Sequence, residues 1–263
     1  MSTLLISSAV LGGLGLFFGL MLSYFSTIMK VEEPAQLTAL KALLPGAGCG
    51  GCGFAGCAAF AEKLYAGKAD YNGCPVGGAD LTKSLADVMG ANATAKVPVT
   101  AFVKCLGTDK LLYNYSGVAS CRAALRLAGG GSRACAFGCL GGGDCFRVCK
   151  FGAIQIANGT AIVDSKKCVG CNICVASCPK ELIVMVPQDK TIRVGCNAQN
   201  GGKSVRASCN IGCIGCRLCA KSCEYDAVRM EESLAVIDYE KCTGCGVCAQ
   251  ICPRKCIQGN NSN

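Results

Sequence analysis

Cysteine dominates the chemistry that this chain can perform, because its 263 residues include 25 Cys and no His. Three near-identical segments each hold four Cys, separated by two, two and three residues: Cys168–Cys178, Cys213–Cys223 and Cys242–Cys252. Three thiolates on one tight loop can reach three irons of a single inorganic cluster. The residue before the second Cys is always a glycine, which lets the backbone fold closely around such a core; these glycines are Gly170, Gly215 and Gly244.

This spacing is typical of bacterial iron–sulfur ferredoxins, in which the fourth thiolate of a segment binds the neighbouring cluster. A looser segment, Cys135–Cys149, has the same order of ligands with longer gaps. Four segments predict two ferredoxin units with two 4Fe–4S clusters each. We expect four ligand groups: Cys135, Cys139 and Cys145 with Cys178; Cys168, Cys171 and Cys174 with Cys149; Cys213, Cys216 and Cys219 with Cys252; and Cys242, Cys245 and Cys248 with Cys223.

A separate four-Cys module precedes these units, with gaps of two, four and sixteen residues; its cysteines are Cys49, Cys52, Cys57 and Cys74. Cys57 falls in the first turn of a predicted helix, where the helix dipole favours a thiolate and an anionic cluster. We predict a fifth 4Fe–4S cluster here, with its own four ligands. Structural zinc is the alternative for this module, since its spacing is less diagnostic than that of the ferredoxin segments.

The five predicted clusters leave a few cysteines without a role: Cys105, Cys121, Cys196, Cys209 and Cys256. Buried thiols are the expectation for these residues, and ligands of a sixth cluster are the alternative. Zinc usually takes two separated pairs of ligands, often with His. A disulfide framework usually has an even number of Cys and needs an oxidising compartment. The spacing therefore favours iron–sulfur clusters over both.

The composition excludes several classes of function. Without His the chain has no haem, Rieske or His-based catalytic chemistry. The runs Gly129–Gly131 and Gly141–Gly143 lack the strand and helix context of a nucleotide-binding loop. The formal net charge is +9, but five oxidised clusters would add roughly −10 with their thiolates. Residues 104–221 hold 16 Lys and Arg against 5 Asp and Glu; this excess either compensates cluster charge or attracts an acidic partner.

The first 29 residues carry no charged side chain, and about 20 apolar residues are enough to span a bilayer. A cleaved signal peptide would need a basic start and a small-residue cleavage site, so we predict an uncleaved, single-pass anchor. Lys30 and Lys41 follow the span and no basic residue precedes it, which places the Cys-rich part in the reducing cytoplasm. Gly15 and Gly19 lie on one helix face, and such faces pack against other membrane helices.

Short helices and hairpins fill the rest of the chain and predict an α+β fold class. We expect helices over 34–44, through Ala66, and from a cap at Asp80. We expect hairpins pairing 153–156 with 161–164, 182–186 with 191–194, and 227–230 with 235–239. The predicted domains are a transmembrane helix (1–30), a small helical four-Cys iron–sulfur module (31–95), a linker (96–133), and two tandem bacterial ferredoxin-like units (134–194 and 195–263).

The order of membrane anchor, L-P-G-x-x-C-G-x-C-G-x-x-G-C module and ferredoxin units resembles the B subunit of the Rnf complex, a membrane-bound, ion-translocating ferredoxin:NAD oxidoreductase. The resemblance covers nearly the whole chain, and residues 49–74 are its most specific part. Two ferredoxin units mark a long form of that family. Lys150 and Glu224 stand where such segments often have Pro after the fourth Cys, which puts cluster exposure in question there but not ligation.

The resemblance implies an electron-relay subunit that takes electrons from reduced ferredoxin and passes them to the other membrane, flavin and NAD subunits. It implies that the flavin and NAD sites lie on those subunits and not on this chain. We expect no nucleic-acid partner, because the sequence has no helix-turn-helix, RNA-binding or zinc-finger pattern. A stand-alone, membrane-tethered polyferredoxin electron carrier is the alternative function. A catalytic iron–sulfur enzyme is a third hypothesis, because corrinoid-linked proteins share a similar four-Cys module. The filled ligand sets and the absence of a base in the sequence count against it.

Overall fold

The N-terminal part of the chain is one long apolar helix. A computed structural model describes residues 2–28, 33–107, 110–127 and 129–259. Helix α1 spans Ser2–Ile28. Its segment Val10–Ile28, with a mean hydropathy of 1.6, is long and apolar enough to cross a membrane and packs against no other part of the described chain. Lys30, on which the predicted orientation partly depends, lies outside the described residues.

The four-Cys module is a small helical domain. It contains α2 (Ala35–Leu43), α3 (Cys57–Tyr65), a short 3-10 turn and α4 (Gly78–Met89). The fully buried side chains of Leu40, Phe60, Leu64 and Leu85 form its core. The helices agree with the sequence-based expectation, but the predicted cap at Asp80 is wrong. Helix α4 begins two residues earlier, and Asp80 lies in its first turn without capping it.

In the described part of the chain, short strands form four antiparallel pairs. The strands are β1 (Val99–Val103), β2 (Ile154–Ala157), β3 (Thr160–Val163), β4 (Ile183–Pro187), β5 (Arg193–Val194), β6 (Val228–Glu231), β7 (Leu234–Ile237) and β8 (Ile257–Gln258). The hairpins β2–β3 and β6–β7 confirm two of the predicted pairs. The predicted hairpin of 182–186 with 191–194 is wrong, because β4 pairs with β1 and β5 pairs with β8.

Strand β1 explains the wrong hairpin, because it lies in the stretch that the sequence predicts to be a linker. Four of its five residues are buried, and its five-residue register with β4 runs from Val99 opposite Pro187 to Val103 opposite Ile183. Strand β5 offers only two residues for pairing. The longer and more apolar partner is the better one for β4, since sheet stability depends on packed cross-strand pairs.

The remaining helices of the described chain are short, with four to seven residues: α5 (Cys121–Leu125), α6 (Asp144–Val148), α7 (Ile173–Ser177), α8 (Gly202–Ser208), α9 (Leu218–Lys221) and α10 (Val247–Gln250). The third Cys of each ferredoxin segment is the buried residue of its helix: Cys145, Cys174, Cys219 and Cys248. Helix α6 packs on α7, and α9 packs on α10. Each unit is therefore a pair of short helices backed by two antiparallel strand pairs, one of which is a hairpin. This is the architecture of a ferredoxin.

Candidate iron–sulfur sites

The second ferredoxin unit surrounds two cavities with cysteine side chains. One cavity is lined by Cys213, Cys216, Cys219 and Cys252, with Cys256 as a fifth thiol in its wall, and its empty volume is about 340 Å³. The other is lined by Cys242, Cys245, Cys248 and Cys223, with an empty volume of about 350 Å³. In each case the fourth Cys of one segment joins the first three of the other. These are the groupings that ligand crossover predicts.

The regular segment of the first unit lies against Cys149. The charges of Cys168, Cys171 and Cys149 all act on Cys174, and burial is the main reason why the pKa of Cys174 rises to about 11. The backbone N–H of Ala101 in β1 donates a hydrogen bond to Cys168 Sγ, 3.4 Å away. The structure therefore brings together the second predicted group and adds a backbone donor from the stretch that the sequence predicts to be a linker.

The irregular segment is arranged differently from the sequence-based expectation. Cys139, Cys145 and Cys178 line one cavity, with an empty volume of about 370 Å³, but the fourth thiol there is Cys121. Cys135 lies instead at a separate cavity with Cys105, Cys196 and Cys209. Sequence reasoning missed Cys121 because it belongs to no recognisable spacing. The available signal was the number of cysteines left without a role.

The upstream module forms a fifth cavity, lined by Cys49, Cys52, Cys57 and Cys74, with an empty volume of about 310 Å³. Cys57 is the first residue of α3, as the sequence predicts. The module touches the first ferredoxin unit at this site. A Cβ atom placed on Gly51 would lie 2.9 Å from Cys171 Cβ, and Lys150 Nζ donates a hydrogen bond to the carbonyl of Gly48 at 2.9 Å.

The shape of the loops fits 4Fe–4S clusters. Gly170 and Gly215 both have positive φ angles, 72° and 69°, and a Cβ atom at these positions would lie 2.5 Å from Val99 O and 3.1 Å from Ser233 O. Within the described residues, no three metal-binding side chains converge on the position of a single metal ion. The thiols surround cavities instead, and a cubane holds its four thiolates at separate irons.

Burial controls the protonation of the thiols. It raises the pKa of Cys145 to about 12 and the pKa values of Cys219 and Cys248 to about 11. These groups carry a proton at neutral pH in the metal-free chain, so metal binding must release it. Cys256 differs, because its Sγ lies 3.6 Å from Cys252 Sγ. A hydrogen bond from Cys256 lowers the pKa values of both Cys213 and Cys252.

Cationic side chains hold the backbone of the cysteine loops. Lys180 Nζ donates to Ala136 O at 2.7 Å, and Lys190 Nζ donates to Cys242 O at 2.9 Å. Arg254 donates to Cys209 O at 2.6 Å, and desolvation lowers the pKa of the half-buried Lys180. Positive charge this close to thiolates offsets the charge of an anionic cluster. Lys180 and Lys190, which belong to the basic middle of the chain, thus lie where they can compensate cluster charge.

Three family models match three successive segments of the chain. An Fe-S cluster family covers residues 44–76, a 4Fe-4S binding domain covers residues 161–184, and a 4Fe-4S dicluster domain covers residues 212–256. The fold and these matches define the class of protein as an iron–sulfur protein with several 4Fe–4S sites. The irregular segment and Cys105, Cys121, Cys196 and Cys209 fall outside all three matches.

Relatives that match nearly the whole chain show its family. Each of them is the B subunit of an enzyme complex. The chain is 41% identical to that of the Na(+)-translocating ferredoxin:NAD(+) oxidoreductase complex of Acetobacterium woodii, over 99% of this chain and 79% of the relative. It is 42% identical to that of the ion-translocating oxidoreductase complex of Methanosarcina acetivorans, over 98% of this chain and 99% of the relative. A proton-translocating counterpart from Clostridium ljungdahlii is 38% identical over 98% of this chain and 92% of the relative. The chain belongs to the family of B subunits of ion-translocating oxidoreductase complexes.

Proposed function

We propose that this chain is the iron–sulfur electron-relay subunit of an ion-translocating ferredoxin:NAD oxidoreductase. It accepts electrons from reduced ferredoxin and passes them to the membrane, flavin and NAD subunits of the complex. When bound, 4Fe–4S clusters supply reversible one-electron transfer at potentials set by their surroundings. The match of nearly the whole chain to the B subunits of three organisms is the observation that carries this proposal.

The contact between the module and the first unit supports a relay, because electron transfer needs neighbouring sites. Gly51 lies against Cys171, and Lys150 holds the loop at Gly48. The charge of Cys49 also acts on the Cys171 thiol and contributes, after burial, to its raised pKa. The chain thereby holds ligands of two predicted clusters side by side. Ligation of iron by all twenty predicted cysteines, from Cys49 to Cys252, is part of this proposal.

The domain boundaries need two adjustments. We propose the anchor at 1–30, the module at 31–95 and two ferredoxin units, with the strand β1 counted as part of the first unit and β5 as part of the second. Strand β1 pairs along its whole length with β4, and it donates a backbone hydrogen bond to Cys168. The anchor crosses the membrane once and leaves the Cys-rich domains on the cytoplasmic side.

Co-purification tests the relay against the stand-alone carrier. A tagged full-length chain, extracted from its own membranes in mild detergent, should bring flavin-containing and membrane subunits with it. A variant that lacks residues 1–29 should be soluble, keep its iron and lose these partners, because α1 is, among the described residues, the helix long and apolar enough to anchor it. Recovery of the full-length chain alone would favour the stand-alone carrier, and normal membrane assembly of the shortened variant would show that α1 is not the tether.

Docking of ferredoxin should use the basic residues beside Cys216. Cys216 is an exposed thiol, Arg217 and Lys221 are exposed next to it, and neither makes an ion pair in the described part of the chain. An acidic carrier would be steered to such a surface. The double variant Arg217→Glu/Lys221→Glu should slow electron transfer from reduced ferredoxin at low salt and flatten its salt dependence, because screening acts on this attraction.

Lys63→Glu/Lys68→Glu is the matched control for this experiment. It reverses the same number of charges at exposed positions on the four-Cys module. The control should keep the wild-type rate and salt dependence, as measured by stopped-flow reduction at several salt concentrations. Equal slowing by both double variants would mean that only overall charge matters. If the wild type and both double variants react at equal rates at every salt concentration, charge compensation explains the whole basic region.

A further inference from the structure

One of these cavities lies between the two ferredoxin units and is lined by four cysteines, three of which belong to no recognised spacing. They are Cys105, Cys135, Cys196 and Cys209. Cys105 follows β1, Cys135 starts the irregular segment, Cys196 follows β5, and Cys209 caps the C-terminal end of α8. Residues that are far apart in the sequence thus converge, as sulfur donors, on one place in the fold.

The dimensions of this cavity match those of the cavities in the recognised segments. Its empty volume is about 370 Å³, compared with about 340 and 350 Å³ at the two sites of the second unit. Apolar side chains complete its wall, among them Leu106, Phe137 and Val205. Four sulfur donors around a space with mostly apolar walls are also present at the cavity of Cys139, Cys145 and Cys178 and at the cavity of the four-Cys module.

Backbone donors point at these sulfurs. The N–H of Cys139 donates to Cys105 Sγ at 3.3 Å, and the N–H of Cys213 donates to Cys196 Sγ at 3.3 Å. A second N–H, that of Ala198, also donates to Cys196 Sγ, at 3.4 Å. Hydrogen bonds of this kind stabilise a thiolate and tune a bound cluster. Small buried thiols that merely fill a core need no such donors.

Lysine and arginine side chains hold the backbone around this cavity, as they do at other cysteine loops. Arg254 donates to Cys209 O at 2.6 Å and to Gly212 O at 3.4 Å. Lys110 Nζ donates to Ala207 O at 3.0 Å, and to Arg206 O at 3.3 Å. Both contacts fix the backbone at the end of α8, directly beside Cys209. The positive charges offset an anionic ligand in the cavity.

We propose that Cys105, Cys135, Cys196 and Cys209 bind a sixth 4Fe–4S cluster, and that Cys121 takes the place of Cys135 at the cavity of Cys139, Cys145 and Cys178. Only Cys256 then lies outside the ligand groups. The new site is hydrogen-bonded to a ligand residue of each unit, Cys139 on one side and Cys213 on the other. It therefore connects the two units. The metal site itself follows from the geometry alone, whereas its role as a connection depends on the proposed function.

Iron analysis of the wild-type chain gives the first test and requires no variant. The full-length protein, isolated or reconstituted without oxygen, should hold roughly 24 iron and 24 sulfide atoms, because each 4Fe–4S cluster contributes four of each. A saturated value near 20 of each would overturn the proposal. Stoichiometric zinc together with about 20 iron would also overturn it, because zinc would then fill the sixth site.

A double variant locates the cluster. Cys105→Ala/Cys209→Ala should lose roughly four iron and four sulfide atoms, together with one signal in the EPR spectrum of the reduced protein. The EPR signals of the other five clusters are the internal control, because a general loss of folding would remove them as well. Unchanged iron in the double variant would overturn the assignment of these ligands.

Cys121→Ala tests the second part of the proposal. Combined with Cys145→Ala it should lose little more iron than Cys145→Ala alone, because both residues serve one cluster. Combined with Cys209→Ala it should affect two clusters. If Cys121→Ala instead affects a second cluster when combined with Cys145→Ala, and no second cluster when combined with Cys209→Ala, Cys121 belongs to the new site. Cys135 would then be the fourth ligand with Cys139, Cys145 and Cys178, as the sequence predicts. None of these measurements involves partner subunits, so a six-cluster chain that purifies alone would overturn the proposed function and leave the metal site standing.

Discussion

The Cys178→Ala variant should lose the cluster held by Cys139 and Cys145 and retain the cluster of its own segment. Cys178 follows directly after α7, whose Cys174 belongs to the group with Cys149. Its side chain nevertheless lines the cavity of Cys139 and Cys145. Removal of a ligand thiolate opens one iron to solvent, and we expect the loss of roughly four iron atoms or a three-iron remnant. The first unit should also become less stable, because bound metal supplies much of the folding free energy of so small a domain.

Double variants separate this result from a general loss of folding. Cys178→Ala added to Cys139→Ala should cost little beyond Cys139→Ala, since both act on one cluster. Added to Cys171→Ala, it should remove a second cluster. Iron content and EPR spectra of the reduced proteins measure both outcomes, and the signals of the second unit serve as an internal control. The opposite pattern would mean that each segment closes on its own cluster, and the two-unit architecture would be wrong.

Alanine at the three loop glycines should damage the clusters in a fixed order: Gly170 most, Gly215 less and Gly244 least. All three residues have similar positive φ angles, 72°, 69° and 81°, so Ala adds a similar backbone cost of about 1–2 kcal/mol at each. The space around them differs. The new Cβ would lie 2.5 Å from Val99 O at Gly170, 3.1 Å from Ser233 O at Gly215 and 4.0 Å from Thr191 Oγ1 at Gly244.

The contact at Gly170 cannot be relieved by a side-chain rotation, because Val99 O belongs to the backbone of β1. Gly170→Ala should therefore displace β1 or the loop and lose the cluster of Cys168, Cys171 and Cys174. Gly244→Ala is the matched control, and it should keep its cluster with a small loss of stability. Iron analysis and chemical unfolding of the anaerobic proteins measure the two effects. Equal losses at all three positions would show that backbone conformation alone decides the outcome.

The sequence predicts the sites whose ligands sit on one short loop. In Cys213–Cys223 and Cys242–Cys252 the spacing alone places three thiols around one cavity, and the known crossover of ferredoxins supplies the fourth. The hairpins β2–β3 and β6–β7 were equally accessible, since the strands of each are separated by only two residues. Local geometry determines all of these features, so a local pattern is sufficient to find them.

Features that depend on contacts between distant parts of the chain could not be predicted from local sequence patterns. Cys121 reaches Cys145 through α5, and Cys105 meets Cys196 through two separate strand pairs. The partner of β4 lies far earlier in the chain, in a stretch whose weak pattern suggested a linker. Tertiary packing decides each of these contacts, and no spacing within a single segment encodes it. The cysteines left over in the sequence were the one indication that such sites exist.

The pairing of β5 with β8 has a consequence for how the second unit is built into the chain. Arg193 lies opposite Gln258, and Val194 lies opposite Ile257. The polypeptide therefore enters and leaves this unit on adjacent antiparallel strands. A domain whose ends meet can be inserted, removed or circularly permuted without stretching the flanking chain. The second unit could therefore be inserted or removed as a whole, and the sulfur-lined cavity to which it contributes Cys196 and Cys209 is one of its contacts with the first unit.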